Sequence, residues 1–280
     1  MPATFCPDSE SWIALAVGNS RLHWAVFLGD RLCQSGRALP PDPQVFLDAL
    51  PQTWSDWQFL CPFFQQSHPY PELWVASVVP RQTQLWQHYP QATVLERSDV
   101  SLPGMYPTLG LDRAIALWSA GKTYGWPVLV IDGGTALTLT GADAAGVFAG
   151  GSISPGLGLQ LRSLQQGTAG LPLAALPDRL PALWARETDA ALQSGTVYGA
   201  IAGLIFRIER WWSAYPDTQI ILTGGDADVL TAYLQGWHQS VAPLEWLHRL
   251  TTEPHAILLG IATLRSQKYA MPCSESKINP

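Results

Sequence analysis

The residues of this chain that can do chemistry fall in a few short blocks. Gly18-Asn19-Ser20-Arg21 follows one apolar run, Gly110-Leu111-Asp112-Arg113 opens a helical pattern, and Asp132-Gly133-Gly134-Thr135 closes a second apolar run. Glycine turns between strands expose backbone N–H groups, because glycine permits close approach and positive φ. Such amide nests bind phosphate oxygens without a lysine, and Ser20 and Thr135 add hydroxyl donors. Two of these turns facing each other across a cleft could hold the phosphates of a nucleotide. A further pair, Gly224-Gly225, follows a third apolar run and could let backbone approach an adenosine. Asp112 reads two ways. An acid in a first helical turn stabilises the helix dipole, and it can also serve as a general base with Arg113 clamping an anionic group. Asp132 ends a buried strand, where a carboxylate is costly without a cation or donors to satisfy it.

The elements that must position these residues follow from hydrophobic patterning. Trp12–Val17 is predicted as a buried strand, Arg21–Leu28 as its hairpin partner and Arg31–Ser35 as a third strand. A Pro-rich stretch from Pro40 to Pro71 holds one helical pattern at Gln44–Leu50. Leu73–Val79 reads as a strand closed by Pro80, followed by a helix through His88 and an edge strand at Ala92–Leu95. Gly110–Tyr124 reads as a helix ended by Gly125 and Pro127. Strands at Val128–Ile131, Ala136–Thr140 and Gly146–Ile153 follow, then helical residues Pro155–Gln166. A Pro-punctuated loop runs to Glu187. A long helix over Thr188–Trp212 is predicted, capped by Thr188. Thr218–Thr223 is a further strand, Asp226–Gln235 and Pro254–Arg265 are helices, and the polar tail from Met271 frays. The two halves echo each other: Leu15–Ser20 and Ile131–Thr135 each leave one strand and enter a hairpin, with a third strand after a Gly/Asp turn. An internal duplication of a three-stranded unit explains this.

Composition bounds what the site can serve. The chain has 280 residues, 16 Lys plus Arg and 22 Asp plus Glu, a net charge of −6. That mildly acidic surface gives no electrostatic reason to expect nucleic acid or an anionic membrane as partner. Hydrophobic residues make up 47% with 13 Trp, ample for a packed core. Charged residues are only 14%, against about 25% in a typical domain, which hints that a second subunit covers apolar surface. Cys6, Cys33, Cys61 and Cys273 form no CxxC pair, and the six histidines show no ligand spacing, so a zinc site has no support. Met1–Ser11 lacks a signal-peptide pattern, and no apolar stretch spans a bilayer. A reducing cytoplasm with free thiols is expected.

Taken in order, these blocks resemble the type III pantothenate kinases, members of the superfamily of acetate and sugar kinases, actin and heat-shock chaperone ATPases. The resemblance runs through Ala14–Phe27, Ala76–Pro80, Tyr106–Ala116, Val130–Thr138, Gly150–Thr168, Thr188–Gly199 and Leu222–Ala227. It implies an α/β chain of two similar ribonuclease-H-like (actin-like ATPase) domains, mixed sheets flanked by helices, at 1–108 and 109–280. It also implies transfer of the ATP γ-phosphate to pantothenate, the first step of coenzyme A synthesis, by a homodimer that uses Mg²⁺ and a monovalent cation, K⁺ or NH₄⁺. Under it, Asp112 is the catalytic base, and Gly110, Leu111 and Arg113 line the pantothenate site with Tyr106 and Thr188, the latter near a dimer interface. Gly18, Asn19, Ser20, Arg21, Thr135, Gly224 and Gly225 are the nucleotide contacts, and Asp132 takes the monovalent-cation position. One departure stands out. The family's first phosphate motif begins with Asp, as D-x-G-N-T, and this chain has Ala16-Val17-Gly18-Asn19-Ser20. Alanine cannot ligate the metal that this acid helps organise. A non-catalytic, nucleotide-binding relative with a regulatory role is therefore the alternative to an active kinase.

Overall fold

A computed structural model describes residues 11–39 and 72–270. The helical pattern at Gln44–Leu50, the Pro-rich stretch around it, the tail from Met271, and Cys6, Cys61 and Cys273 lie outside the described residues.

The Trp12–Val17 run forms β1 (Ser11–Val17), and every residue after Ser11 is buried. A strand that is apolar without alternation needs cover on both faces, which fits a sheet centre. β1 pairs antiparallel with β2 (Leu22–Leu28) on one side and parallel with β4 (Glu72–Ser77) on the other. β3 (Arg31–Ala38) adds to β2, and β5 (Ala92–Val94) adds to β4 across α1 (Pro80–Gln87). The order is β3-β2-β1-β4-β5. β3 runs past Ser35 because Gly36 lies under the Trp24 indole in the facing register position, where a Cβ would come within 2.5 Å of the ring.

The second sheet repeats the plan. β6 (Val128–Gly133) pairs antiparallel with β7 (Ala136–Ala142), which pairs with β8 (Phe148–Pro155). β9 (Gln219–Thr223) and β10 (Leu250–Thr252) continue parallel on the other side of β6. The order β10-β9-β6-β7-β8, taken from β8, has the sequence 3-2-1-4-5 of the first sheet. Two sheets of one topology, each opening with three antiparallel strands, are two ribonuclease-H-like folds, and they bear out the duplication read from the hairpin motifs.

Helices α2 (Leu111–Tyr124), α3 (Leu157–Gly167), α4 (Thr188–Ala214), α5 (Ala227–Ser240) and α6 (Ala256–Ala270) are the other α-helices among the described residues. α4 buries Val197, Ala200, Ile201, Leu204, Ile205 and Ile208, a 3.6-residue stripe that packs with Ile131 and Leu139 of one sheet face and Ile220 and Leu222 beside them. The expected cap is corrected: Thr188 is the first helical residue, Glu187 holds the N-cap position, and no side chain bonds there. The chain divides into two units, residues 1–101, 108–115 and 257–280 in one, and 102–107 and 116–256 in the other. α6 thus belongs to the first unit from Ile257 onward, whereas a division at 108/109 keeps each half continuous.

Arg265 fixes α6 to that first unit. Its buried guanidinium donates to Glu72 Oε2 from Nε at 3.1 Å and from Nη2 at 2.7 Å, and it faces the Trp12 and Tyr269 rings at 4.7 and 4.8 Å. Glu72 Oε1 accepts from Trp74 Nε1 at 2.6 Å and from the Tyr269 hydroxyl at 2.7 Å. Burial pushes the Glu72 carboxyl up, but these hydrogen bonds and the guanidinium charge outweigh it and leave the group below its ordinary value. Arg265→Met is expected to cost about 3 kcal/mol in urea unfolding, the low end for breaking a buried pair, because Glu72 keeps some contact with water. Arg265→Met/Glu72→Leu should cost less than the single change. Because the folded carboxyl is depressed, its contribution is present above the ordinary value of 4.5 and lost as pH falls through the lower folded value. Parent and variant midpoints should therefore converge in acid. A single variant as stable as the parent at neutral pH would remove this role for the pair.

Candidate active site

Asp112 owes its position to the residue two before it. Gly110 precedes α2, and a Cβ there would lie 2.6 Å from Asp112 Oδ1, so only glycine lets the carboxylate fold back over the start of the helix. Oδ1 accepts the Arg113 backbone N–H at 2.8 Å, and the Gly110 carbonyl accepts from Ala114 at 3.0 Å, which begins the helical ladder. Leu111 and Arg113 are buried and Asp112 is half-buried. Burial pushes the Asp112 carboxyl above its ordinary value, while the Arg113 N–H and guanidinium charge pull it part of the way back. A carboxylate with raised proton affinity suits a general base better than an unperturbed one. Asp112 also lies in the first turn of α2, where an acid stabilises the helix dipole.

In the first unit, Gly18 N–H donates to the Arg21 carbonyl at 3.0 Å, and this closes the turn between β1 and β2. Asn19, Ser20 and Arg21 are exposed at its tip. Ala16 sits inside β1 between His23 of β2 and Ala76 of β4, and presents a methyl where the resembling family has a carboxylate.

In the second unit the expected residues converge. Asp132 is the fifth residue of β6, which continues to Gly133, and it is half-buried rather than buried. The Gly134 N–H donates to the Ala136 carbonyl at 3.0 Å and turns the chain into β7. A Cβ on Gly224 would overlap Asp132 Oδ1 and lie 2.5 Å from the Gly133 carbonyl oxygen, and Gly224 has φ +94°. Positive φ is therefore required at Gly224, whereas Gly133 is needed for close approach alone, since a Cβ there would come within 2.5 Å of Leu230. Two residues that sequence reasoning missed belong here. Gly156 N–H donates to the Thr135 carbonyl at 2.9 Å, and a Cβ on Gly156 would overlap the Gly134 carbonyl oxygen and crowd that of Thr135. Asp226 N–H donates to the Gly133 carbonyl at 2.7 Å. The signal for Gly156 was its place between a strand-ending Pro155 and the apolar helix after it. For Asp226 it was the position directly after Gly224-Gly225, exposed Gly225 included.

Tyr106 and Thr188 sit elsewhere in the second unit. Tyr106 is 39% exposed and meets the edge of Phe148 at 5.6 Å, at the start of β8, whose other end leads to Gly156. Thr188 lies exposed at a cleft of about 400 Å³ that Gln160, Leu164, Leu171, Leu192 and Thr196 also line. Among the described residues no three His, Cys, Asp or Glu side chains gather as a metal cluster, and no helix is long and apolar enough to cross a membrane. Asp132 offers carboxylate oxygen, the donor type that hard cations take. A divalent ion fits as one held largely by phosphate oxygens and water, the usual habit of Mg²⁺.

The family model for type III pantothenate kinases matches residues 12–210. A type III pantothenate kinase of Nostoc sp. PCC 7120 is 40% identical over 266 residues, covering 91% of this chain and 94% of the relative. One from Synechococcus elongatus is 42% identical over 270 residues, covering 94% and 99%. Among solved structures, a Campylobacter jejuni protein assigned to the Baf family of transcriptional activators superposes with a TM-score of 0.59 at 17% identity, covering 92% of this chain and 100% of that one. A Sinorhizobium meliloti protein assigned as a 2-dehydro-3-deoxygalactonokinase gives 0.53 at 13% identity, covering 93% and 100%. Both share the fold.

Proposed function

This chain belongs to the type III pantothenate kinase family, and we infer from that membership that it transfers the γ-phosphate of ATP to pantothenate. It is a kinase, its product is 4'-phosphopantothenate, and the reaction opens coenzyme A biosynthesis.

The observation that carries the mechanism is the half-buried Asp112 carboxylate held over the helix start, its Oδ1 accepting the Arg113 N–H at 2.8 Å beside Gly110, where burial pushes its proton affinity up. In our reading Asp112 accepts the proton of the pantothenate hydroxyl as its oxygen attacks the γ-phosphorus, and ADP leaves. Gly110, Leu111 and Arg113 line the acceptor site, with Arg113 compensating anionic charge and Tyr106 and Thr188 contacting the same substrate. The exposed turn of Gly18, Asn19, Ser20 and Arg21 offers N–H and hydroxyl donors to phosphate, as Thr135 does, while Gly224 and Gly225 let backbone approach the nucleoside. Asp132 would hold the monovalent cation. Phosphate oxygens, water and Asp132 would hold Mg²⁺, since Ala16 has no ligand to give. Bound cations neutralise charge on the transferring group. A homodimer is supported by Phe206, a large apolar side chain of α4 that is 63% exposed, in line with the exposed small residues Gly195, Gly199 and Ala202 of the same helix.

A coupled ADP-release assay tests the whole reading. ADP release should depend on pantothenate, and no release at saturating ATP, Mg²⁺ and K⁺ would overturn the kinase assignment. Replacing K⁺ by Na⁺ at constant ionic strength should depress the rate, because a half-buried carboxylate beside phosphate needs a well-fitted positive charge. Equal rates in the two salts would remove Asp132 as a cation ligand.

A further inference from the structure

Residues 168–187 carry neither helix nor strand, and unstructured runs beyond about 12–15 residues inside a compact unit are usually functional or disordered. This one is fastened at four points. Gln193 Nε2 donates to the Ala175 carbonyl at 2.9 Å, Ser194 Oγ to that of Leu183 at 2.6 Å, and the Tyr198 hydroxyl to that of Pro181 at 3.0 Å. The buried Tyr233 of α5 donates to the Pro177 carbonyl. Burial and the charges of Asp226 and Asp178 push the Tyr233 hydroxyl up to about 12, so it stays a donor through the working pH range. Leu180 packs over Gly236, where a Cβ would come within 3.0 Å. The strap thus held puts Leu171, Ala174 and Leu176 against Leu161 of α3 and Leu192 of α4, a small cluster apart from the main core. Leu171 and Leu192 continue from that cluster into the wall of the Thr188 cleft, with Leu164 beside them. The cleft therefore sets the polar groups of Thr188, Gln160 and Thr196 among Leu164, Leu171 and Leu192, and the strap supplies one of these leucines, Leu171.

We propose that Leu171 is a specificity-determining residue for the phosphoryl acceptor, and that Ser194, Tyr198 and Tyr233 are positioning residues that hold the strap carrying it. The proposal rests on the reading of Thr188 as an acceptor contact. The acceptor class that matches such a cleft carries a compact branched apolar group next to hydroxyl and amide groups, which is the chemistry of the pantoyl part of pantothenate. Leucine contacts discriminate by buried area, and the polar groups among them fix orientation.

The experiment compares steady-state kinetics of the parent, Leu171→Ala, Ser194→Ala/Tyr198→Phe and Thr188→Val in the full chain, with amide hydrogen exchange over 168–187 as the second readout. Leu171→Ala should raise KM for pantothenate roughly tenfold, with kcat and KM for ATP within about twofold of the parent. The double variant should raise the same KM by a smaller factor and speed exchange across the strap. Thr188→Val controls the underlying reading and should also raise KM for pantothenate. If Thr188→Val raises it and Leu171→Ala does not, the strap proposal is overturned and the acceptor reading stands. If neither changes it, the Thr188 reading fails and the proposal with it. Faster exchange in the double variant at unchanged KM would show that the pins are structural only, and overturn their positioning role. A rise of both substrates' KM in Leu171→Ala would do the same for its specificity.

Discussion

Asp112→Asn is expected to lower kcat for pantothenate phosphorylation by about 10²–10⁴-fold, the usual contribution of a general base. Asparagine has the same shape, so its Oδ1 can still accept the Arg113 N–H and still sit over Gly110. Only the ability to take a proton is lost. Folding should not suffer. A carboxyl whose folded proton affinity is raised binds more protons in the native than in the unfolded state, so its ionisation costs stability as pH climbs above the ordinary value of 3.8. Removing that ionisation should leave the variant at least as stable as the parent at neutral pH, which thermal or urea unfolding will show. The same shift predicts that the acid limb of kcat/KM in the parent lies above the ordinary aspartate range and disappears in the variant. Near-parent turnover by Asp112→Asn would eliminate Asp112 as the base, and a lost acid limb with a lowered unfolding midpoint would mean that the residue holds structure.

How much of this was legible before the structure depends on the range of the interaction that sets each feature. β1 and β6 could be read because a central strand needs apolar residues on both faces, a constraint written in consecutive positions. Both sheets follow from hairpin turns, so their shared topology could be anticipated from Gly18-Asn19-Ser20 and Gly133-Gly134-Thr135. β10 could not, since Leu250–Thr252 is three residues long and exists only because it pairs with β9. The Thr188 cap failed because Thr is the favoured cap type, while the helix begins one residue earlier with Glu187 in the cap position and no side-chain bond. Asp112 was visible as a residue in a motif, but its enclosure was not, because that depends on Gly110 standing beneath the carboxylate. The pins of the strap lay beyond sequence reasoning altogether. They act on backbone carbonyls tens of residues away, and a carbonyl is the same in every residue.

Gly224→Ala is the second large effect expected, and it tests whether Asp132 needs its place. At φ +94° an L side chain is strained, a cost of about 1–2 kcal/mol for a residue forced into left-handed backbone. The new Cβ would also overlap Asp132 Oδ1 and crowd the Gly133 carbonyl oxygen at 2.5 Å. Neither neighbour can retreat freely. The Gly133 oxygen already accepts the Asp226 N–H at 2.7 Å, one residue before α5, and Gly133 itself lies against Leu230 of that helix. The carboxylate is therefore the group that moves. Overpacking of this kind typically adds about 1–3 kcal/mol of destabilisation, so the unfolding midpoint should fall clearly. If Asp132 holds a monovalent cation beside the phosphates, its displacement should also lower kcat/KM for ATP roughly 10²-fold, the scale of a misplacement of about 1 Å at a reacting group. The K⁺ concentration for half-maximal rate should rise as well. Gly167→Ala, at the last residue of α3, is the matching control, because a Cβ there meets nothing within 4 Å, and it should leave both midpoint and kinetics near the parent. A folded Gly224→Ala enzyme with parental K⁺ activation would show that the cation is held by groups other than Asp132, while a loss of stability with unchanged kcat/KM would confine Gly224 to the fold.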